Sequence, residues 1–181
     1  QMVKDNNISW HAGKSKWKNY SNLNKNSIGI ELVNKGHNLG YEKFSNSQIK
    51  SLIYLCKKLM KKYRLKREDF LGHSDIAPLR KIDPSEKFPW RKLSRFKIGS
   101  WYNNKSFLKS IFKSKKKEKL FFKNLHKIGY RYFKIDKRSK LDKYIIKAFQ
   151  QRYLPNNISG KIDLKTFKIS HYLSSKENSL K

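Results

Sequence analysis

The chain has 181 residues, enough for one large domain or two small ones around a hydrophobic core. Its 44 Lys and Arg against 13 Asp and Glu give a formal net charge of +31, which favours polyanionic partners such as nucleic acid, anionic lipid surfaces or acidic wall polymers. The single cysteine, Cys56, excludes a disulfide within the chain, and no apolar run is long enough to span a membrane.

Two elements are predicted in the first third of the chain. Residues 27–33, SIGIELV, alternate as in a β-strand, and Glu31 in the middle of this strand is costly to bury unless it is used or paired. Residues 46–63 predict a helix, because their apolar side chains recur at three- and four-residue steps, with Ser45 or Ser47 as the cap. Cys56 lies on the apolar face of this helix and is predicted to be a buried, inert thiol.

The loop that follows, GHSDIAPLRKIDP at residues 72–84, combines His73, Lys81 and Asp83. One interpretation is a surface turn; the other is a metal site, because His nitrogen and Asp oxygen are zinc ligands. A metal-activated water, a carboxylate base such as Glu31 and a cation such as Lys81 would together suit metal-assisted amide hydrolysis. The alternatives are a structural ion pair for Glu31 and an ordinary surface position for Lys81.

The C-terminal part changes in composition. The run KSKKKEK within residues 98–118 predicts a basic linker or the frayed start of a helix, and a domain boundary is predicted near it. Three helices are predicted beyond it: KEKLFFKNLHKIGY ending at Gly129, KLDKYIIKAFQQRYL closed by Pro155, and DLKTFKISHYL capped by Asp163. The tail SSKENSLK is predicted to be disordered.

Two sets of motifs resemble known families. The motifs WHAGKS, NKNSIGIELVN, GHSDIAPLRKIDP and FPW, in this order, resemble the zinc-dependent N-acetylmuramoyl-L-alanine amidases, the family that also includes the animal peptidoglycan-recognition proteins. The stretch KAFQQRYLPNNISGKIDLKTF is similar to a three-helix peptidoglycan-binding module. The resemblance implies a mixed α/β amidase domain at 1–97, with a β-sheet flanked by helices, followed by the linker at 98–118. A small all-α domain at 119–175 and a tail at 176–181 would complete the chain.

The resemblance also implies roles for individual residues. His73 and Asp83 would bind Zn²⁺, Glu31 would take a proton from the zinc-activated water, and Lys81 would stabilise the oxyanion. Three further residues would line the substrate groove: His11, Asn24 and Arg80. The alternative for His11 is that it caps a turn.

The family pattern includes a third zinc ligand, a histidine on a strand ahead of the WHAG motif, and the sequence begins after that position. We therefore expect an N-terminal segment to be missing. Three explanations stay open: the chain is a fragment of a complete amidase, it is an inactive descendant, or His11 or His37 substitutes as the ligand.

Three functions follow from these patterns. The first is an amidase that cleaves the bond between N-acetylmuramic acid and the L-alanine of the stem peptide. The second is a non-catalytic peptidoglycan-binding protein. The third is a nucleic-acid binder, which is disfavoured because the lysines are spread along the whole chain and no nucleic-acid-binding motif is found. The predicted partners are peptidoglycan or muropeptides, and the predicted location is the cell envelope or periplasm, with the cytoplasm as the alternative.

Overall fold

The computed structural model describes residues 1–103 and 117–178. In these ranges the fold is mixed and rich in helix, which confirms the α/β class in its coarser form. A short antiparallel pair of strands is formed by β1, Lys16–Trp17, and β2, Tyr20–Ser21. The α-helices are α1 (Asn46–Tyr63), α2 (His73–Ile76), α3 (Trp90–Ser94), α4 (Lys117–Ile128), α5 (Asp142–Tyr153) and α6 (Leu164–Asn178). Short 3₁₀ turns lie at Leu23–Lys25, His37–Leu39 and Arg67–Asp69.

The strand predicted at residues 27–33 is wrong for the described structure, where this segment has no regular secondary structure. The alternation did predict burial in part, because Ile30 and Leu32 pack partly against α1, but Ile28 is 44% exposed. A strand also requires a neighbour for its backbone hydrogen bonds, and no strand in the described ranges lies beside this segment. The predicted central sheet is therefore not found in the described part of the chain, where the sheet consists of the β1–β2 pair.

The helix predicted at residues 46–63 is confirmed at both ends. Ser45 is its N-cap and forms a capping box with Gln48, which satisfies backbone N–H groups at the start of the helix. Cys56 is buried as predicted, and burial raises the pKa of its thiol to about 11. The apolar face of α1 packs with Leu93 and Ile98 in a small hydrophobic cluster.

The three C-terminal helices are confirmed as α4, α5 and α6. The disorder predicted after residue 173 is wrong up to Asn178, since α6 continues to that residue; residues 179–181 lie outside the described ranges, as does most of the predicted linker. No helix in the described part of the chain is both long enough and apolar enough to cross a membrane.

The larger hydrophobic core joins the two halves of the chain. It combines Trp17 and Ile76 from the N-terminal half with aromatic side chains of α4 and α5, and the rings of Trp17 and Tyr130 meet edge to face at 5.0 Å. Gly129, with φ of 138°, lies directly beneath Trp17, and a Cβ at this position would be 2.4 Å from the indole. The C-terminal helices therefore pack on the N-terminal half rather than only among themselves; the predicted domain boundaries stay a prediction.

Candidate metal and substrate site

A cleft of about 930 Å³ brings most of the predicted site residues together. Its walls are formed by the segment around residue 11, the extended segment 27–34 and the start of α2. Five residues singled out in the sequence line it: His11, Asn24, Glu31, His73 and Asp83. Arg80 and Lys81 lie on the loop between α2 and Asp83.

The centre of the site is the pair formed by His73 and Asp83, whose Nδ1 and Oδ2 atoms are 3.1 Å apart. His73 is the first residue of α2. The Ser74 N–H donates to the carbonyl of Asp83 at 2.8 Å, and this hydrogen bond joins the end of the loop to the start of α2. The Nε2 atom of His73 lies 3.2 Å from the carbonyl oxygen of Ala12. Both ring nitrogens of His73 thus face oxygen acceptors, and Nδ1 is the nitrogen that lies beside the Asp83 carboxylate.

The donor set fits a zinc site in type but supplies two ligands. A neutral imidazole nitrogen and a carboxylate oxygen that face each other are typical zinc donors, and the Nε2 contact to a backbone carbonyl is the usual outer-shell support for such a histidine. Within residues 1–103 and 117–178, no group of three or more His, Cys, Asp or Glu side chains is arranged to hold a metal ion.

The two histidines considered as a substitute ligand are engaged elsewhere. His11 contacts the hydroxyl of Ser9 through Nδ1 at 2.7 Å and that of Ser27 through Nε2 at 2.9 Å. Its ring also packs closely on Gly29, where a Cβ would lie 2.6 Å from the imidazole. His37 faces the Glu86 carboxylate at 3.2 Å. In the described residues neither histidine joins His73 and Asp83, so this explanation for the third ligand is not supported.

The charge state of Asp83 suits a ligand. Partial burial raises the pKa of its carboxyl, but the hydrogen bond with His73 and the nearby positive charges outweigh burial and hold the pKa below its usual value. The side chain keeps 56% of its surface exposed, against 17% for His73. Lys81 is among the cations that lower this pKa, which places its ammonium group within electrostatic reach of the Asp83 carboxylate.

Glu31 is exposed in the wall of the same cleft. The alternative that it serves in a structural ion pair has no support, since no hydrogen bond or ion pair of Glu31 is found among the described residues. A carboxylate that faces a cleft without a cation partner is available as a proton acceptor.

Asn24 and Arg80 hold the backbone of the segment that faces His73. The Asn24 side chain is buried and its Oδ1 accepts from the N–H groups of Ala12, at 2.7 Å, and Gly13, at 3.1 Å. Arg80 donates from Nη2 to the carbonyls of Ala12, at 2.7 Å, and Lys14, at 3.3 Å. Both side chains therefore shape the cleft wall by positioning its backbone, a role that their types alone did not indicate.

Asn24→Ala is expected to destabilise the fold by about 1–3 kcal/mol, because it leaves the N–H groups of Ala12 and Gly13 without an acceptor in a buried setting. The measurement is urea unfolding followed by circular dichroism. Asn26→Ala, at an exposed position two residues on, is the matched control and should change the unfolding free energy by less than about 0.5 kcal/mol. Equal effects of the two substitutions would contradict the role given to Asn24.

One wall of the cleft was missed in the sequence. Tyr41 donates from its hydroxyl to the carbonyl of Pro84 at 2.7 Å and accepts from the Lys87 N–H at 3.0 Å, and burial raises the pKa of Tyr41 to about 12. His37 and Glu86 pair beside it, next to Ser85. These contacts tie the loop around residues 37–41 to the segment after Asp83. The partners are more than forty residues apart, so no local pattern could have indicated them.

Comparison with known proteins gives the class of this protein, an amidase, and identifies its family. Residues 1–86 match the N-acetylmuramoyl-L-alanine amidase family. The chain is 33% identical over 184 residues to the N-acetylmuramoyl-L-alanine amidase AmiD of Escherichia coli, an alignment that covers 97% of this chain and 67% of AmiD. It is 39% identical over 93 residues to the 1,6-anhydro-N-acetylmuramyl-L-alanine amidase AmpD of Haemophilus influenzae, covering 51% of this chain and 48% of AmpD.

Comparison with solved structures leads to the same family. The E. coli AmiD structure, a complex with the substrate anhydro-N-acetylmuramic acid-L-Ala-D-γ-Glu-L-Lys, superposes with a TM-score of 0.85 at 32% identity over 97% of this chain and 72% of AmiD. AmpDh3 of Pseudomonas aeruginosa, in complex with anhydromuramic pentapeptide, gives a TM-score of 0.83 at 30% identity over 96% of this chain and 71% of that one. The chain belongs to the N-acetylmuramoyl-L-alanine amidase family, and these relatives favour the amidase interpretation over a non-catalytic binding protein.

Proposed function

We propose that this chain hydrolyses the amide bond between N-acetylmuramic acid and the L-alanine of the stem peptide in peptidoglycan or its fragments, with zinc as cofactor. The observation that carries the proposal is the convergence of His73 Nδ1 and Asp83 Oδ2 at 3.1 Å in a cleft that also presents Glu31. The substrate class is supported by AmiD and AmpDh3, whose structures contain anhydromuramic peptides.

His73 and Asp83 would hold the metal. Catalytic zinc sites commonly use three protein ligands, and the described residues supply these two. When bound, zinc supplies a Lewis acid that polarises a carbonyl and lowers the pKa of water. The contact of His73 Nε2 with the Ala12 carbonyl would orient the imidazole, and Arg80 holds the same carbonyl by a 2.7 Å hydrogen bond.

The other residues act on protons and charge. Glu31 would take a proton from the attacking water as the water oxygen adds to the lactyl carbonyl carbon. Lys81 would balance the negative charge that develops on the carbonyl oxygen. As the C–N bond breaks, the proton held by Glu31 would pass to the alanine nitrogen, which leaves as a free amine. Water is thus consumed, the sugar gains a carboxylic acid, whose proton is released to solvent or to the amine, and the peptide gains a new N-terminus.

Helices α4, α5 and α6 would form the peptidoglycan-binding module. The proposal is supported by the stretch similar to that module and by the contacts of Gln150 within it. The Gln150 amide donates to the carbonyl of Lys161 at 2.9 Å and to the Thr166 hydroxyl at 3.0 Å, and its oxygen accepts from the Gly160 N–H at 2.8 Å. These bonds fix the turn between α5 and α6. A substrate in the wall would place the protein in the cell envelope, whereas a turnover fragment would also be available in the cytoplasm.

The test is direct cleavage of a purified anhydro-N-acetylmuramyl tripeptide, followed by mass spectrometry, with the chain dialysed against trace zinc. The expected result is a product pair that consists of the anhydro sugar acid and a free peptide with N-terminal alanine. Prior treatment with a chelator is expected to stop the reaction, and added zinc to restore it. Binding of intact peptidoglycan without any cleavage under these conditions would contradict the proposal and favour a non-catalytic binding protein.

A further inference from the structure

A buried ion pair connects the C-terminal helices to the helix that presents His73. Asp75, two residues after His73, is only 1% exposed, and its Oδ2 accepts from the Gly72 N–H at 2.8 Å. The same oxygen pairs with the Arg152 guanidinium of α5, while the other carboxylate oxygen accepts from the Tyr130 hydroxyl. A buried carboxylate requires such partners. Its two side-chain partners, Arg152 and Tyr130, come from the C-terminal third of the chain.

Arg152 holds more than the carboxylate. Its side chain is 4% exposed, and Nη2 donates to the carbonyl of Phe70 at 3.0 Å. Its guanidinium also lies over the ring of Trp90, with the two centres 3.9 Å apart. Arg152 thus binds the backbone just before α2 and a side chain within α2 at the same time.

Helix α2 depends on such outside contacts because it contains just four residues, His73–Ile76. A helix of this length has too few internal hydrogen bonds to be stable alone. A further contact is the hydrogen bond from the Ser74 N–H to the Asp83 carbonyl, which holds the start of α2 beside the second proposed metal ligand. Rotation of α2 would therefore separate His73 from Asp83.

We infer that Arg152 and Tyr130 are positioning residues for the metal site: through Asp75 they fix α2, and α2 aims His73 at Asp83. The inference rests on the proposed function, since it concerns the same His73–Asp83 pair. It assigns to the C-terminal helices a share in building the catalytic site, in addition to any role in binding the wall. Outer-shell partners of this kind commonly change metal affinity by about 10–100-fold.

The test uses the full chain with Tyr130→Phe and Arg152→Met. Tyr130→Phe removes one hydroxyl and keeps the ring, so that it tests the inference even where Arg152→Met fails to fold. Zinc affinity, measured by calorimetry, is expected to fall about 10-fold in Tyr130→Phe and toward 100-fold in Arg152→Met. Amide hydrogen exchange of residues 74–77, compared with that of α1 and measured without metal, is expected to accelerate selectively.

Arg138→Met is the matched control. Arg138 also pairs with a carboxylate, that of Asp142, at 3.3 Å, and its guanidinium also lies over an aromatic ring, that of Phe122, at 3.6 Å. Its loss should lower stability but leave zinc affinity and the relative exchange of residues 74–77 unchanged. If the Tyr130 and Arg152 variants behave like Arg138→Met, the positioning role is refuted. If the unaltered chain binds no zinc, the proposed function fails, whereas the exchange measurement still decides whether α2 is held by these residues.

Discussion

Replacing His73 by alanine is expected to lower kcat/KM for muropeptide hydrolysis by about 1,000-fold or more. The metal would lose the imidazole that faces Asp83 at 3.1 Å, and with it several kcal/mol of stabilisation of the developing charge, each 1.36 kcal/mol being tenfold in rate. The side chain is largely enclosed, but it is not part of the hydrophobic core. We therefore expect a folded protein without activity, measured by product formation and by the zinc content of the dialysed variant.

The control for this substitution is His126→Ala. His126 is exposed on α4, far along the chain from the cleft loop, and should leave both activity on a soluble muropeptide and zinc content as in the unaltered chain. Circular dichroism of both variants separates loss of the site from loss of the fold. A His73→Ala protein that keeps its zinc and its activity would remove His73 from the site.

Glu31→Gln is expected to lower kcat by about 10²–10⁴-fold and to leave zinc content and stability unchanged. The substitution keeps the size of the side chain and removes the carboxylate that would accept the proton of the attacking water. Since Glu31 is exposed and no ion pair of it is found in the described residues, the folded state loses no contact. Steady-state kinetics with a soluble muropeptide provide the measurement.

Glu42→Gln is the control for Glu31→Gln. Glu42 is an exposed glutamate in a surface ion pair with Lys35 at 3.8 Å, and it does not line the cleft. Its substitution removes the same charge from the protein and should leave kcat within about twofold, because exposed pairs contribute little. Comparable losses in the two variants would point to net charge rather than to proton transfer.

The four longer helices, α1 and α4 to α6, could be predicted because their signals are local, whereas the short helices α2 and α3 were not predicted. The three- and four-residue spacing of apolar side chains and the Ser45 cap defined α1 at both ends. The segment 27–33 carried an equally clear two-residue alternation, yet it forms no strand in the described residues. Alternation describes which side chains face a core, whereas a strand also needs a hydrogen-bonding neighbour, which lies elsewhere in a sequence.

The residues of the candidate site also fall into two groups, those that local motifs indicate and those that they do not. His73, Asp83 and Glu31 could be named from motifs, because their chemical types and order match an amidase. The supports of the site could not: Asn24 acts on the backbone of Ala12, and Asp75 is satisfied by Arg152, seventy-seven positions away. Residue type and local spacing do not show such partners. The structure thus adds the scaffold around the site residues that the motifs predict.

The positive charge of the surface would contribute modestly to the attraction of a negatively charged substrate. A net charge of +31 gives a positive field that favours stem peptides with free carboxylates, although salt at cellular concentration screens it within about 8 Å. The same charge would attract other polyanions, so it does not define the substrate. The walls of the cleft include His11, Tyr41 and the backbone held by Asn24.

The zinc site of this protein is tested by the zinc stoichiometry of the purified 181-residue chain, measured by elemental analysis after dialysis against trace metal. We expect about one zinc ion per chain, reduced to background in His73→Ala and Asp83→Ala, because each substitution removes one of the two proposed ligands. A chain that retains no zinc, or one whose zinc survives both substitutions, would contradict the claim that His73 and Asp83 form the metal site of an amidase.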